Sequence, residues 1–544
     1  MCVYRKEFPE YTADWAPYSL LHPGDDRFAD PDELRQRFGL VRKREDLHAG
    51  GMPILAGPEG AVFQNDDSMS IVFGQSGSKK TRLLVAPTLV SLAYAHENIV
   101  AVDIKGELTD PDSSIGRTVC GALAENGYEI VRLNFRTFDQ SSVNLLEVAT
   151  DLFQAGDIAG AISALHELTT AITRLSTVPN QDPFWVQNAQ ALLTGISFLL
   201  LFLAASPDQL NLYTLSTYLN DDGLEELSTI CHALPDAARN HPILVQLLNI
   251  CDFPDKTRSC VLGTATGMLN FITSNAQLLH MISTSGFHFR DLSDPDKQIA
   301  LILVMPDETD AYDTLEGIVV QQLLSVLLKQ AAANGGALPV RLNFVMDEFC
   351  NIRISSMDRY ISALRSRNIR WFIVCQSLQQ LRSVYPTQAS TILANCSNWF
   401  YLRSNELELL ELLSFHTGQT HLNERGEAAP LLSTHQLMQL RKGTDYTEAL
   451  YLSGDTVLVT RLPDISLYQV PAAPEGCTPP QKAIARPAVL DAETFSRRVS
   501  FMKKAAEHPD AVSAEAVSIR KKMRRLTEQY NPGSRCRSAG RTFR

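Results

Sequence analysis

Two short stretches hold the residues best suited to chemistry. The first is Gly74-Gln75-Ser76-Gly77-Ser78-Lys79-Lys80-Thr81, set between the apolar run Ile71–Phe73 and a helical stretch, Thr81–His96. It follows the phosphate-loop pattern G-x-x-x-x-G-K-[ST]. In that pattern the N–H groups of a glycine-rich turn cradle phosphates, a lysine reaches the β and γ phosphates, and a hydroxyl reaches Mg²⁺. Gly74, Lys80 and Thr81 occupy those places, but Lys79 stands where the second glycine belongs. Glycine there supplies a backbone conformation or a closeness of approach that a side chain resists. The turn is therefore expected to be strained or nucleotide binding weakened, with an extra ammonium beside the phosphates as partial compensation.

The second stretch is Asp347-Glu348, directly after the apolar run Leu342–Met346. A carboxylate at the end of a buried strand beside a phosphate loop holds Mg²⁺, and an adjacent one orients or deprotonates the attacking water. Asp347 thus takes a metal role and Glu348 a general-base role. One strand further on, Gln376 ends the run IRWFIVCQ, where a side chain can sense a γ-phosphate. Just upstream, Arg365, Arg367 and Arg370 cluster in LRSRNIR. An arginine supplied by a neighbouring subunit stabilises charge on a transferring phosphate in ring ATPases. Each feature also has an ordinary reading: a plain strand–turn–helix connection, a solvated helix start, a polar strand end, an exposed basic helix end. The loop's place between strand and helix, together with the second acidic strand, decides for nucleotide chemistry.

These residues need a scaffold of parallel strands. Short apolar runs (SIVF, NIVAVDI, YEIVRLNF, IALILVMP, LNFVM, IRWFIVC, SNWFYLRS, DTVLVTRL) alternate with helical stretches, the pattern of an α/β sheet with crossover helices. Between about Thr150 and Phe289 the apolar spacing becomes helical throughout, which reads as an insertion. The expected fold class is α/β, a parallel sheet with helices on both faces, interrupted by an all-α domain. The expected division is an N-terminal lead-in segment over 1–60 containing a helix at Pro31–Phe38, the nucleotide-binding domain in two parts over 61–149 and 290–470, the all-helical insertion over 150–289, and a Pro-rich linker with a basic helix and tail over 471–544.

A chain of 544 residues is too long for one compact core, and 45% hydrophobic with 20% charged residues excludes a mainly disordered or fibrous protein. A net charge of −12 argues against a protein that coats nucleic acid with its whole surface. The charge is uneven: nine basic residues and one acid lie between Arg520 and Arg544, a +8 arm of the kind that contacts nucleic acid or anionic lipid, which leaves −20 on residues 1–519. The ten cysteines form no CxxC pair, so reduced thiols, a cytoplasmic setting and no structural zinc are expected. No apolar stretch follows the N-terminal charges, and the 15-residue run Ala191–Ala205 is short for a span and interrupted by Thr194, Gly195 and Ser197, so a buried helix is expected there and no transmembrane segment.

In order, GQSGSKKTRLLVAPTL, NIVAVDIKGEL, DPFWVQNAQALL, LILVMPDE, LNFVMDEFCNI, SALRSRNI, VCQSLQQLRSVY and ILANCSNWFYLRS resemble the TraG/TraD-type coupling proteins of type IV secretion and conjugation, over about residues 69–465. The resemblance implies a hexameric, DNA-translocase-like ATPase built on a RecA-like P-loop NTPase core, with ATP and Mg²⁺ bound between subunits, and a helical domain that helps recognise relaxosome or DNA substrates. It implies that Lys80 and Thr81 meet phosphate and Mg²⁺, that Asp347 and Glu348 are the acidic pair, Gln376 the sensor, and Arg365 the arginine finger, with Arg367 as runner-up. The implied partners are relaxase and relaxosome proteins, single-stranded DNA, and ATPases or membrane components of the secretion channel. Family members usually begin with transmembrane helices, and this sequence departs from that, so attachment at the inner face of the membrane through partners is expected. The other departure, Lys79, sets ATP hydrolysis apart as the open point. Two further readings are a poorly hydrolysing adaptor that recruits protein cargo and a double-stranded DNA pump; the helical insertion and the RSRN…CQS block speak against the pump.

Overall fold

The computed structural model describes residues 26–175, 182–204, 206–234, 236–306, 312–421 and 428–490, with a few positions up to 500. The basic arm Arg520–Arg544 lies outside the described residues. The chain divides into two compact units, one from residues 1–140 and 289–481, the other from 141–288 and 482–544.

The first unit is built on a nine-stranded sheet. Its strands are β3 (Met69–Phe73), β4 (Asn98–Asp103), β5 (Glu129–Asn134), β6 (Ile299–Val304), β7 (Leu342–Met346), β8 (Ile369–Cys375), β9 (Cys396–Tyr401), β12 (Tyr446–Ser453) and β13 (Thr456–Pro463). β1 (Met52–Gly57) and β2 (Gly60–Gln64), and β10 (Gln419–His421) and β11 (Ala428–Pro430), form two separate hairpins. The order across the sheet is β13-β12-β9-β3-β8-β7-β4-β6-β5. The strands from β9 to β5 all run parallel, and β12 turns antiparallel against both β9 and β13.

β3, β4, β6, β7 and β8 are buried along their whole length, because crossover helices cover a parallel sheet and leave neither face to water. Since the central strands are parallel and in register, Phe73 lies beside Cys375, Met346 beside Ile373, and Val102 beside Met346. The C-terminal ends of β3, β8, β7 and β4 therefore open on one edge, where α/β sheets bind ligands.

The expected lead-in segment holds the helix Pro31–Phe38, capped by Asp30, whose side chain accepts from Asp32 N–H at 2.9 Å. It also holds most of the β1–β2 hairpin, where the sequence reading names no strand. That reading also names neither the β10–β11 pair nor β12, which joins β13 by a two-residue turn with Gly454 at φ +62°. The Pro-rich stretch beyond residue 470 lies against the sheet unit: Thr478 Oγ1 donates to Thr109 O at 3.1 Å and Gln140 Nε2 to Pro479 O at 2.8 Å.

The second unit is helical. Its central helix, Pro183–Leu203, starts on an Asp182 cap with Pro183 in the first turn and is buried along residues 192–203. At Gly195 the helix Pro242–Cys251 comes so close that a Cβ would meet Leu247 Cβ at 2.9 Å. Among the described residues Pro183–Leu203 is the one helix long and apolar enough to cross a membrane, and 72% of its apolar window is buried inside the protein. Residues 482–490 lie on this unit: Asn211 Nδ2 donates to Ala488 O and Tyr218 Oη to Leu490 O, both at 2.8 Å, and Leu490 is fully buried.

Candidate functional site: the phosphate loop and the acidic strand end

β3 leaves the sheet at Gly74, whose N–H donates to Cys375 O at 3.2 Å, and Gln75 N–H donates to Arg403 O at 2.8 Å. The loop is thereby hung between the ends of β8 and β9. Gly74 has no room for a side chain, since a Cβ would meet Ser78 Oγ at 2.6 Å. Gln75 is half-buried, Ser76 and Gly77 are exposed, and the chain turns inward at Ser78, which is buried. Two residues take left-handed backbone, Gly77 at φ +76° and Lys79 at φ +70°. The helix then begins with a wide turn, Thr81–Val85, and continues through Ala86–Tyr94.

Lys80 is 5% exposed, and its Nζ donates to Gly74 O at 2.7 Å and stands 3.5 Å from Glu348 Oε1. Thr81 Oγ1 donates to Asp347 Oδ2 at 2.8 Å. Loop and acidic strand end, 266 positions apart in sequence, are thus joined at the hydroxyl and carboxylate that the motif assigned to Mg²⁺. Burial, then the neighbouring Glu348 charge, raises the Asp347 carboxyl to about 7. Glu348 itself has left-handed backbone, φ +53°, before the short turn Phe349–Asn351. Such strain in a non-glycine residue persists where surrounding structure enforces it, commonly at active sites.

Three buried oxygens here have no hydrogen-bond partner among the described residues: Asp347 Oδ1, Glu348 Oε2 and Ser78 Oγ. Buried polar atoms are rarely left unpaired. Two carboxylates, each with one unpaired oxygen and the other on the Thr81 hydroxyl or the Lys80 ammonium, fit hard oxygen ligation of Mg²⁺, which is held by one or two carboxylates plus substrate phosphates.

The sequence reading missed one acid. Asp103 ends β4, next to β7, and accepts from Glu107 N–H at 3.1 Å and Leu108 N–H at 2.8 Å. Burial raises it to about 6, and its charge adds to the shift of Asp347. The signal was present, a carboxylate closing the apolar run NIVAVD as Asp347 closes LNFVM.

Gln376 follows the end of β8, one residue past the Cys375 carbonyl that anchors Gly74, and so borders the loop. The three arginines separate. Arg365 is exposed in the turn before β8, at the opposite end of that strand from the loop. Arg367 shares this turn, and its Nη1 donates to Gly336 O at 3.0 Å. Arg370, grouped with them by sequence, is buried in β8 and pairs with Glu97 at 3.1 Å.

Lys79 departs from expectation in another way. Its ammonium is not beside the phosphate cradle: Nζ donates to Gly443 O at 3.0 Å and Thr444 O at 2.8 Å, and lies 3.4 Å from Asp464 Oδ2. Three acceptors hold it, so it supplies no additional charge to the loop.

A family model described as type IV secretory system conjugative DNA transfer matches residues 33–452. No curated protein matches the sequence. Among solved structures, the plasmid coupling protein TrwB in complex with the ATP analogue ADPNP is similar at TM-score 0.57 and 13% identity, covering 87% of this chain and 98% of that one. TrwB in complex with ADP and Mg²⁺ is similar at TM-score 0.57 and 14% identity, covering 87% of this chain and 100% of that one. At these identities the likeness is one of fold, the RecA-like P-loop NTPase fold.

Proposed function

Because the chain belongs to the type IV secretory system conjugative DNA transfer family, as a TraG/TraD-type coupling protein, we propose that it acts as an ATPase that recruits a relaxase–single-stranded DNA nucleoprotein and drives its transfer. The observation that carries this reading is the 2.8 Å contact between Thr81 Oγ1 and Asp347 Oδ2 beneath a buried Lys80. The loop amides from Gly74 to Thr81 receive the phosphates, and Lys80 exchanges its contact with Gly74 O for the β and γ phosphate oxygens. Thr81 and Asp347 hold Mg²⁺, which when bound neutralises charge developing on the phosphates. Glu348 takes the proton of the attacking water, and Gln376, at the edge of the loop, senses the γ-phosphate. Arg365 acts in a neighbouring subunit of a homo-hexamer. The helical unit recognises relaxosome proteins and DNA, and channel ATPases or membrane components hold the protein at the inner face of the membrane.

Lys80→Ala and Glu348→Gln test the reading through nucleotide binding and DNA-stimulated turnover, with native mass measured with and without ATP and single-stranded DNA. Lys80→Ala is expected to abolish binding. Glu348→Gln is expected to bind normally and turn over roughly 10²–10⁴-fold more slowly. If both variants bind and turn over like the parent, the site assignment is wrong.

A second reading, an adaptor that binds nucleotide but hardly hydrolyses it and recruits protein cargo, draws support from one observation, the left-handed Lys79 at φ +70°. Under it, Lys79→Gly raises turnover from near nothing.

A further inference from the structure

Lys79 occupies a position that needs a left-handed residue, at φ +70°. For an L side chain that backbone geometry is strained, because Cβ crowds the following carbonyl. Something outside the loop must hold it. The nearest groups come from far along the chain. The Lys79 ammonium donates to the carbonyls of Gly443 and Thr444 and reaches Asp464, while Lys442 Nζ donates in the opposite direction to Gly77 O at 2.6 Å. Two lysines therefore cross between the phosphate loop and the turn before β12, each bound to the other segment's backbone.

That turn is itself closely packed. A Cβ on Gly443 would meet Tyr446 O at 2.2 Å, so the chain there is packed against the start of β12. Asp464, just past β13, is fixed independently. Its N–H donates to Asp445 O at 2.7 Å, its Oδ1 accepts from Ser466 N–H at 3.1 Å, and its Oδ2 accepts from Arg82 Nε at 2.8 Å. Its side chain is 2% exposed and Lys79's is 20% exposed, so water competes little for the pair. Arg82 lies one helical turn beyond Lys79, so this single carboxylate spans the end of the loop and the first turn of the helix.

We propose that Asp464, with the turn Lys442–Thr444, is a positioning residue of the phosphate loop. It is a latch that takes over the role of the missing glycine by holding Lys79 in left-handed backbone and drawing its ammonium away from the phosphate cradle. The inference rests on the nucleotide-binding reading above. It implies that Asp464 matters to the loop because Lys79 is there. With glycine at 79 the backbone needs no external hold, and the latch becomes dispensable. A purely structural role for Asp464 at the sheet edge predicts no such dependence.

The test is a double-mutant cycle in the full chain with Lys79→Gly, Asp464→Asn and both together, read two ways. Hydrogen exchange of residues 76–83 in nucleotide-free protein reads the order of the loop directly. Affinity for a fluorescent ADP analogue with Mg²⁺ reads its function. Asp464→Asn alone is expected to speed exchange at least tenfold and weaken affinity at least fivefold. In the Lys79→Gly background the same substitution still loosens Arg82 but changes each by at least threefold less. Lys79→Met, which leaves Arg82 on Asp464, is expected to reproduce the loosening of the loop and serves if Asp464→Asn does not fold. Equal effects of Asp464→Asn in both backgrounds, or a Lys79→Met loop that exchanges like the parent, overturn the latch. Should the parent bind no ADP, the functional reading fails, and the exchange measurements still decide the latch.

Discussion

Arg370 and Arg365 stand five positions apart, and the structure gives them opposite consequences on substitution. The Arg370 guanidinium has 2% side-chain exposure and donates to Asn343 Oδ1 at 2.8 Å, Asp66 O at 2.9 Å, Gly50 O at 2.8 Å and Glu97 Oε2 at 3.1 Å. Burial draws its pKa down to about 10, so it remains charged at neutral pH. Arg370→Met strands the Glu97 carboxylate, whose remaining cation is Arg341 at 3.5 Å. Breaking a buried pair costs about 3–5 kcal/mol, and the second cation places this case near 3. At roughly 2 °C per kcal/mol for a large unit, the melting temperature falls by about 6 °C. Arg365 is exposed and its side chain makes no described hydrogen bond or ion pair, so Arg365→Ala shifts stability by no more than about 0.5 kcal/mol. As a finger it should cost turnover on the order of 10³-fold or more. Thermal unfolding and DNA-stimulated ATP turnover, run on both variants, separate the two. An Arg370→Met protein that melts within 1–2 °C of the parent refutes the structural assignment, and an Arg365→Ala protein within about threefold of parental turnover refutes the finger.

Thr81→Ala and Asp347→Asn should each raise the Mg²⁺ concentration needed for half-maximal turnover by about tenfold, while leaving metal-free ADP binding within about twofold; a Mg²⁺ titration decides. Glu316, 2% exposed in the helix Asp313–Ala333, has its carboxyl raised to about 9 by burial, with Asp313 adding to the shift. The folded protein keeps that proton where the unfolded chain releases it. The stability Glu316 contributes is thus fully present below about 4.5 and is lost as pH rises toward 9, by up to about 1.4 kcal/mol per unit. Glu316→Gln should therefore melt near the parent at pH 5 and clearly above it at pH 8; a difference that does not change with pH contradicts this.

The central strands were legible because crossover helices bury both faces and so demand uninterrupted apolar runs such as IALILV and IRWFIVC. β12 was not, because Glu448 sits in it, 3% exposed and satisfied by Arg441 N–H at 2.9 Å and by Arg461 at 3.6 Å. A charge breaks the apolar pattern, and the partners that make it tolerable are invisible in a strand read alone. The hairpin β1–β2 was hidden by Gly57, Pro58 and Gly60, which read as loop punctuation when they form a tight turn. At the site, Lys80, Thr81, Asp347 and Glu348 were legible because strand ends place them and a short motif encodes that placement. The surroundings of Lys79 were not, since its partners Gly443, Thr444 and Asp464 lie 364, 365 and 385 positions away. Arg370 was misgrouped with its neighbours because β8 begins at Ile369 and carries it into the core.

The position of Arg365 sets a condition on how the proposed enzyme works. It precedes β8 and Gln376 follows it, and seven strand residues at about 3.3 Å each put roughly 23 Å between a subunit's Arg365 and its own phosphate loop. A lone subunit holds the loop, the acids and the glutamine, but its Arg365 lies at the other end of β8. Turnover should therefore depend on a head-to-tail contact between copies, and two inactive variants should complement each other. Mixed one to one, Arg365→Ala subunits supply intact Glu348 and Glu348→Gln subunits supply intact Arg365, so about a quarter of the interfaces in a randomly mixed ring of heterologous contacts regain both. Turnover with single-stranded DNA should rise toward that fraction of parental activity, whereas either variant alone stays near background. If the mixture remains inactive while native mass shows mixed assemblies, Arg365 does not act across the interface.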